Sequence, residues 1–434
     1  MPSASPAASI GIDFGTSNTV VALARNCGQV ETLRFDHGGA SHSGYASTLC
    51  FSPGGMTGPQ VEGGPWAIDR FLEGSTPLRF IQSFKTFAAS SAFQQTTIFR
   101  QRFSFEDLLA AFLQTLEHHA GSVLDLSRAH VTVGRPVAFA GSAPDDALAM
   151  ERYRKAFGQL GVKHAHYVYE PLGAAFSFAR RLDHDATVLV ADFGGGTSDF
   201  SVMRFARRDG RLRAEPLGHA GIGIAGDTFD ARIVDHIVAP RLGKGGSYRS
   251  FEKVLPLPRH FYATLSRWNE LAFMKGSKEL RDLQELTRFA LDPEPLHDFI
   301  SLVENDLGYP LYRAVSVAKV ALSAQEAVDF EFSGEGLSIC AQIERPAFER
   351  WISDDLARIA ATVDEVLAKS GVAADDVEKV FLTGGTSFVP AVQALFAERF
   401  GAEKLTAADQ FESIAQGLAL IGLSENPDQW AFAA

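Results

Sequence analysis

The sequence predicts an α/β fold made of two similar lobes with a cleft between them, and three observations carry this prediction. At 434 residues the chain is too long for one hydrophobic core. Apolar strands alternate with amphipathic helices along much of it. A glycine turn between two apolar strands occurs twice, once in GIDFGTSN from Gly11 and once in VADFGGGTSDF from Val190. This repetition indicates a duplicated unit.

The composition is that of an ordinary folded protein, with 46% hydrophobic and 21% charged residues. A net charge of -12 argues against a general nucleic-acid surface. The N-terminal residues lack the pattern of an export signal, and no apolar run reaches membrane-spanning length. Cys27, Cys50 and Cys340 lack metal-ligand spacing and fit a reducing compartment. We therefore expect a cytoplasmic protein with no nucleic-acid or membrane partner.

The first half of the chain reads as a β-meander followed by alternating strands and helices. Glu106 to Ala120 is expected as a helix with one apolar face. His118 and His119 at its end are expected to face solvent or complement the helix dipole rather than bind metal. The other expected elements are a hairpin from Ile10 to Ala24, strands at Val30 to Phe35, Thr48 to Phe51, His130 to Val133 and Ala165 to Tyr169, helices at Asp145 to Leu160 and Pro171 to Arg180, and a strand from Val188.

The second half opens with a strand pair and continues mainly as helices. Pro346 to Ser370 is expected as one helix that Gly371 ends. The other expected elements are a helix from Asp227, its N-terminal cap, to Ala239, a mainly helical insertion from Pro240 to Tyr312, a helix from Leu311 to Ser323, strands at Val328 to Phe332 and Leu337 to Ala341, and a strand from Val380 that leads through a glycine pair to a helix ending at Phe400.

The two glycine turns are suited to binding phosphate. Gly194 to Gly196 remove every Cβ from the second turn, so backbone N–H groups can approach an anion. Asp192 and Asp199 flank this turn, and their carboxylates would repel a phosphate unless a hard cation lay between them. Mg²⁺ is therefore implied. Because the turn after Asp13 repeats the pattern, the two turns could grip one triphosphate from both sides.

Other patterns are less specific. Gly221 to Gly226 matches G-x-G-x-x-G, but no βαβ unit surrounds it, so we interpret it as a loop that leads into a helix. Asp-Phe-Gly occurs in protein kinases, yet their H-R-D loop is absent, as is a Walker A loop. Gly384 and Gly385 could expose backbone to an uncharged nucleoside or form an ordinary strand-to-helix turn. From spacing alone, Lys85 reads as a lysine that snorkels off a helix.

Five motifs in order resemble the ATPase domain of the seventy-kilodalton heat-shock chaperones of the DnaK type. They are GIDFGTSN (Gly11 to Asn18), YEPLGAAFSFA (Tyr169 to Ala179), VADFGGGTSDFSV (Val190 to Val202), GDTFD (Gly226 to Asp230) and VFLTGGTSFVPAVQALF (Val380 to Phe396), and ESIAQGLALIG (Glu412 to Gly422) resembles the last helix of that domain. Within that group the chain looks most like the short YegD-type relatives of DnaK.

The resemblance implies an actin-like ATPase fold with two duplicated lobes, each a mixed five-stranded sheet with flanking helices, around a nucleotide cleft. Lobe I would span residues 1–188, with an outer subdomain at about 49–127. Lobe II would span 189–434, with an outer subdomain at about 240–311. A closing helix at about 412–424 would cross back toward lobe I.

The resemblance also implies a role for each matching site residue. Asp13 and Asp192 would hold Mg²⁺, largely through water. Lys85 would position the γ-phosphate and the attacking water, and Glu170 and Asp199 would orient that water or accept its proton. The implied catalytic residues are Lys85, Glu170, Asp192, Thr197 and Asp199. The implied nucleotide-binding residues are Asp13, Gly15, Thr16, Ser17, Asn18, Gly194, Gly195, Gly196, Thr197, Gly226, Asp227, Lys319, Ser323, Gly384, Gly385, Thr386 and Phe388. The implied cofactors are ATP or ADP and Mg²⁺.

Three positions depart from the family pattern. Phe388 and Val320 stand where the family sandwiches adenine between an arginine and another side chain, and Ser316 replaces a glutamate at the ribose end. Phe388 could stack on a base in place of the arginine. The chain ends at Ala434, where DnaK-type chaperones continue into a peptide-binding domain, so we expect no such domain.

We therefore predict a slow Mg-dependent ATPase that drives a chaperone-like conformational switch by in-line attack of water on the γ-phosphoryl group. Its expected partners are nucleotide and protein clients or co-chaperones, and its expected state is a monomer. Two other functions remain open from the sequence: a nucleotide-sensing adaptor without turnover, and a small-molecule kinase of the same fold. Filament formation, as in actin, also remains open.

Overall fold

A computed structural model describes residues 9–54, 58–74, 77–141, 143–179, 184–208, 211–407, 412–424, 427 and 430. The chain divides into two compact units. Unit 1 contains the residues up to 225 together with 358–387 and 392–434, and unit 2 contains 226–357 and 388–391. Both glycine turns belong to unit 1.

The order of strands and helices follows the predicted alternation. As far as Ala179 the elements are β1 Ser9–Phe14, β2 Asn18–Ala24, β3 Val30–Thr32, β4 Phe35–His37, β5 Ala40–His42, β6 Gly44–Ala46, β7 Thr48–Ser52, β8 Gln60–Gly63, α1 Gly64–Glu73, β9 Arg79–Gln82, β10 Thr96–Ile98, β11 Gln101–Phe103, α2 Phe105–Ala120, β12 His130–Arg135, α3 Asp146–Gln159, β13 Ala165–Tyr169 and α4 Glu170–Ala179. The end of the predicted helix at Arg180 lies outside the described residues.

The second half continues with β14 Ala186–Phe193, β15 Ser198–Arg208, β16 Arg211–Ile222, α5 Gly226–Ile233, α6 Ala239–Arg241, β17 Ser247–Ser250, β18 Lys253–Pro256, α7 Arg259–Leu265, α8 Trp268–Met274, α9 Lys278–Thr287, α10 Glu294–Glu304, α11 Gly308–Ala324, β19 Ala327–Gly334, β20 Leu337–Glu344, α12 Arg345–Trp351, α13 Ser353–Ser370, β21 Lys379–Thr383, α14 Pro390–Phe400, β22 Leu405–Ala407 and α15 Ser413–Gly422. A π-helical segment, Val234–Val238, joins α5 to α6.

Unit 1 contains two mixed sheets with the same topology. The first has the order β13-β12-β1-β2-β3, in which β1 to β3 are antiparallel and β12 and β13 run parallel to β1. The second has the order β16-β15-β14-β21-β22, again with three antiparallel strands and two parallel ones. Short β6 also pairs with β2. The predicted α/β class with duplicated five-stranded mixed sheets is confirmed.

The central strands β1 and β14 are buried along most of their length. In β14 the run Val188 to Ala191 is continuously apolar, as expected for a strand covered on both faces, whereas β1 interleaves Ile10, Ile12 and Phe14 with smaller or polar residues. Because the strands are buried, the positions of the residues at their ends are fixed. Asp13 and Asp192 are both the penultimate residue of their strand.

Helix α15 packs across α4 and the first sheet at glycines that cannot carry a side chain. A Cβ at Gly417 would lie 1.7 Å from the carbonyl oxygen of Gly173, and a Cβ at Gly11 would lie 2.1 Å from that of Ala415. Val20 and Ala419 belong to the same buried cluster beside this helix. The close approach of backbones therefore depends on small residues in both partners.

Unit 2 consists mainly of helices α5 to α12, with two hairpins, β17-β18 and β19-β20. The predicted insertion after Pro240 is mainly helical, but it also contains the β17-β18 hairpin. Arg232 makes a two-pronged contact with Asp355, at 2.8 Å for both hydrogen bonds. In the parts of the chain that the structure describes, no helix is long and apolar enough to cross a membrane.

Three local predictions are wrong. The helix expected from Pro346 to Ser370 is two helices, since α12 ends at Trp351 and α13 begins at Ser353 with acidic residues in its first turn. The strand expected from Val30 to Phe35 is two short strands. Asp227 lies inside the first turn of α5, which begins at Gly226, so it is not the cap.

The prediction for the histidines at the end of α2 is right for His118, which is exposed, and wrong for His119. The His119 ring stacks on Trp66 with centroids 3.7 Å apart, and its Nδ1 lies 2.9 Å from the Tyr45 hydroxyl. Burial, helped by the nearby His118 and His37, lowers the pKa of His119 to about 4. A neutral imidazole contributes no charge to the helix dipole.

Candidate functional site

The two glycine turns have the same backbone geometry. In the first, the Gly15 N–H donates to the Asn18 carbonyl at 3.0 Å, and in the second the Gly194 N–H donates to the Thr197 carbonyl at 2.9 Å. Each turn follows a central strand whose penultimate residue is an aspartate. The duplication read from the sequence therefore extends to single hydrogen bonds.

The turns lie close to each other within unit 1. A Cβ added at Gly196 would lie 3.1 Å from the Thr16 hydroxyl oxygen, so glycine brings the second turn up to the first. A Cβ at Gly15 would lie 2.3 Å from the Asn18 carbonyl oxygen, which excludes any side chain there. Gly194 is exposed and Gly195 and Ser17 are partly exposed, so the backbone of these turns is accessible to an anion.

Lys85 is buried against Glu170. Its Nζ donates to Glu170 Oε1 at 2.7 Å, and the two side chains are 8% and 6% exposed. The snorkelling reading of Lys85 is wrong, because the residue lies in a single 3₁₀ turn, Phe84–Phe87, that follows β9. Burial by itself lowers the pKa of Lys85, but the charges of Glu170 and Asp13 and the hydrogen bond to Glu170 raise it overall.

Three further carboxyl groups surround this ion pair. Burial raises the pKa of Asp192 well above its usual value, and Glu170, Asp13 and Asp199 raise it further. Burial and Glu170 raise the pKa of Asp13 to about 7, against the opposing charge of Lys85. The same two causes raise the pKa of Asp199 to about 7, although hydrogen-bond donors to its carboxylate oppose them. These carboxyl groups therefore hold their protons to a higher pH than ordinary ones, because burial and their neighbours' charges disfavour ionising them together.

This donor set fits a hydrated hard cation. Among the described residues no three His, Cys, Asp or Glu side chains are arranged to hold a metal ion. Asp13 and Asp192 nevertheless place carboxyl oxygens beside the two glycine turns, and an added positive charge would lower their raised pKa values. Mg²⁺ keeps several waters and commonly uses one or two carboxylates together with substrate phosphates.

Backbone amides hold Asp199 at Oδ1, and the Thr197 side chain also hydrogen-bonds to its carboxyl group. Its Oδ1 accepts hydrogen bonds from the Val137 N–H at 2.6 Å and the Ala138 N–H at 3.2 Å. Its Oδ2 is buried and has no partner among the described residues. These backbone donors follow β12, and sequence reasoning missed them because an N–H group leaves no trace in residue type.

The third glycine turn lies beside the second one. Gly384 follows β21 with φ +83°, and a Cβ there would lie 2.0 Å from the carbonyl oxygen of Phe193. Both features require glycine. Gly385 is exposed and Thr386 is buried, so the turn offers backbone at Gly385. An ordinary strand-to-helix turn does not need so close an approach to a neighbouring strand.

Five of the residues predicted to bind nucleoside belong to unit 2: Gly226, Asp227, Lys319, Ser323 and Phe388. Lys319 Nζ donates to Asp230 Oδ2 at 2.8 Å and to the Gly226 carbonyl at 3.1 Å. Phe388 is 44% exposed and Val320 is 67% exposed, so neither is committed to the core. Burial and the charge of Asp230 raise the pKa of Asp227 to about 6.

A family model described as Hsp70 protein matches residues 82–245 and 304–429, more than half of the chain. The chain belongs to the Hsp70 family. The resemblance seen in the sequence motifs is confirmed, and the Hsp70 family has the actin-like ATPase fold.

Several curated Hsp70 proteins are similar to the chain along most of its length. The Chaperone protein DnaK of Thermotoga petrophila, that of Thermotoga neapolitana and that of Thermotoga maritima are each 24% identical to it over 417 residues. The match covers 95% of this chain and 58% of each relative. The chain therefore spans less than two thirds of the length of these relatives.

The sequence analysis also gave no role to Asp230. It is 1% exposed, and it fixes the Lys319 ammonium group. Its position in the Hsp70-like GDTFD motif was visible, but nothing in the sequence links it to a lysine 89 residues away. Only the tertiary contact shows that the two act as a pair.

Proposed function

We propose that the chain binds Mg-ATP and hydrolyses it at the cluster formed by Asp13, Lys85, Glu170, Asp192 and Asp199. The observation that carries this proposal is the buried Lys85–Glu170 ion pair amid three carboxyl groups with raised pKa values, next to two glycine turns of matching geometry. Ionising these buried carboxyl groups together is costly unless a cation or metal complex lies among them.

The two turns would bind the phosphates through backbone N–H groups, assisted by Thr16, Ser17 and Thr197. Mg²⁺ held by Asp13 and Asp192, largely through water, would supply charge neutralisation at the phosphates. Lys85 would place its ammonium group toward the γ-phosphoryl oxygens. Because Glu170 holds that ammonium group at 2.7 Å, the position of the cation would not depend on the ligand.

The water oxygen would attack the γ-phosphorus in line, and the bond from that phosphorus to the leaving ADP oxygen would break. Asp199 Oδ2 would take the proton of the water, and Glu170 would help to orient it. Asp199 suits this role because its Oδ1 is already bound to two backbone amides while Oδ2 is free. Positioning and charge neutralisation would supply most of the catalysis.

For the nucleoside we propose contacts from Gly384, Gly385 and Thr386 in unit 1. Gly226, Asp227, Lys319, Ser323 and Phe388 in unit 2 are proposed on the family resemblance, with Phe388 stacking on the base. Turnover is proposed to drive a chaperone-type conformational switch in a cytoplasmic monomer. Clients or co-chaperones are proposed partners, because the relatives are named as chaperones.

Single-turnover hydrolysis of Mg-ATP by the purified protein tests this proposal, with Asp192→Asn beside it. We expect slow hydrolysis by the wild type and a loss of about 100-fold or more in Asp192→Asn. Asp36→Asn is the matched control, since Asp36 is an exposed aspartate of unit 1. ATP binding without hydrolysis would favour the adaptor. Hydrolysis that needs an added sugar acceptor would favour the kinase.

A further inference from the structure

Gly221 lies next to the carboxylate of Asp199, although the sequence motif that contains it has no dinucleotide role. The two residues are paired across β16 and β15. A Cβ at Gly221 would lie 2.6 Å from Asp199 Oδ1 and 2.9 Å from the Ala138 nitrogen. Those are the same two groups that form one of the hydrogen bonds to Asp199.

The backbone conformation of Gly221 does not explain the glycine. Its φ is outside the left-handed region, where glycines such as Gly384 are found. A glycine inside a strand often marks the close approach of another backbone or ligand. Here the approaching groups are a catalytic carboxylate and the amide that holds it, so any side chain at position 221 would move one or both.

We propose that Gly221 is a positioning residue for ATP hydrolysis: the missing side chain lets the Val137 and Ala138 amides hold Asp199 Oδ1, which leaves Oδ2 directed at the attacking water. The inference rests on the proposed function. Gly221 touches neither nucleotide nor water and acts only through Asp199. The proton path is unchanged, from the water to Asp199 Oδ2 as the oxygen bonds to the γ-phosphorus and ADP leaves.

Gly221→Ala tests the inference, because it adds one methyl group and removes no charge. We expect kcat to fall by about tenfold or more, while KM and the affinity for ADP stay within about twofold, since general-base positioning affects the chemical step. Gly223→Ala is the matched control two residues away. A Cβ there would meet its nearest neighbour, the Ala140 Cα, at an ordinary 3.5 Å. We expect this control to keep wild-type kinetics.

A double-mutant cycle separates positioning from general damage. In an Asp199→Asn background, Gly221→Ala should change kcat by no more than about twofold, because residues that act through one another are not additive. An equal loss in both backgrounds would overturn the inference. So would a Gly221→Ala protein with wild-type kcat.

Val137→Pro provides a second route if Gly221→Ala fails to fold. It removes the 2.6 Å hydrogen bond to Asp199 without adding bulk beside β16. We again expect a lower kcat with unchanged ADP affinity, and a normal kcat would count against the inference. An Asp199→Asn protein with full activity, or an inactive wild type, overturns the proposed function and this inference with it. An impaired Asp199→Asn with a normal Gly221→Ala overturns the inference alone.

Discussion

Lys85 and Glu170 form a buried ion pair whose two partners are 85 residues apart in the chain. We expect Lys85→Ala to bind Mg-ATP but to hydrolyse it about 100-fold more slowly or worse, because a preorganised cation at a developing charge supplies several kcal/mol. Single-turnover hydrolysis with a separate binding assay measures this. Lys155→Ala is the control, since Lys155 is an exposed lysine that pairs with Glu151 on the surface of α3. A Lys85→Ala rate near that of the wild type would remove this residue from the mechanism.

Asp199 makes the stability of the ligand-free protein depend on pH. Burial raises its folded-state pKa from 3.8 to about 7, so the folded state binds an extra proton between these values. Stability from this group is therefore present at low pH and lost as the pH rises through about 7. We expect Asp199→Asn to stabilise the protein at pH 8 by on the order of 1 kcal/mol relative to its effect at pH 5.

Urea unfolding of both proteins at the two pH values measures that difference. An equal effect of Asp199→Asn at pH 5 and pH 8 would show that the carboxyl titrates normally in the folded state.

At the scale of elements, the packing of α15 depends on backbone contact at glycine. We expect Gly417→Ala to destabilise the protein by about 1–3 kcal/mol, because the new methyl group overlaps the Gly173 carbonyl.

Gly158→Ala is the opposite case, because Gly158 is in α3 with nothing within 4 Å of an added Cβ. That variant should be more stable by about 0.5–1 kcal/mol. Urea unfolding checks both, and a neutral Gly417→Ala would mean that α15 can shift without cost.

The duplicated hairpins show why some elements could be recognised and others could not. Their apolar runs and glycine turns are local patterns, so the sequence predicted β1, β2, β14 and β15 together with the turns between them. The break at Ile352, between α12 and α13, is not marked by a glycine or proline at that point. Apolar residues at helical spacing continue across that break, so the sequence pattern predicts a single helix.

At the scale of the whole molecule, the proposal predicts that nucleotide and metal stabilise the fold together. We expect Mg-ATP at about 100 times its Kd to add about 2.7 kcal/mol to the free energy of unfolding and to raise Tm. EDTA should remove most of this increase. Thermal unfolding with ATP, with and without Mg²⁺, measures it. A Tm increase that EDTA leaves unchanged would contradict the role given to Asp13 and Asp192.

Local patterns predicted the α/β class, the duplicated hairpins, the order of most elements and, through five motifs, the Hsp70 family. These features are encoded locally, in hydrophobic periodicity and in glycines that a turn requires. These features could therefore be predicted without the structure. The aspartates that precede the two glycine turns, Asp13 and Asp192, could also be identified from such local patterns.

Only the tertiary structure decided how distant residues combine. Spacing alone made Lys85 a surface lysine, and the fold buries it against Glu170. His119 was expected to face solvent or complement the helix dipole, and burial lowers its pKa to about 4 while its ring stacks on Trp66. Asp199 is held by backbone amides, and Gly221 leaves them room. Each of these features depends on contacts between segments far apart in the chain. Desolvation and close approach arise from such contacts, and no local sequence pattern predicts them.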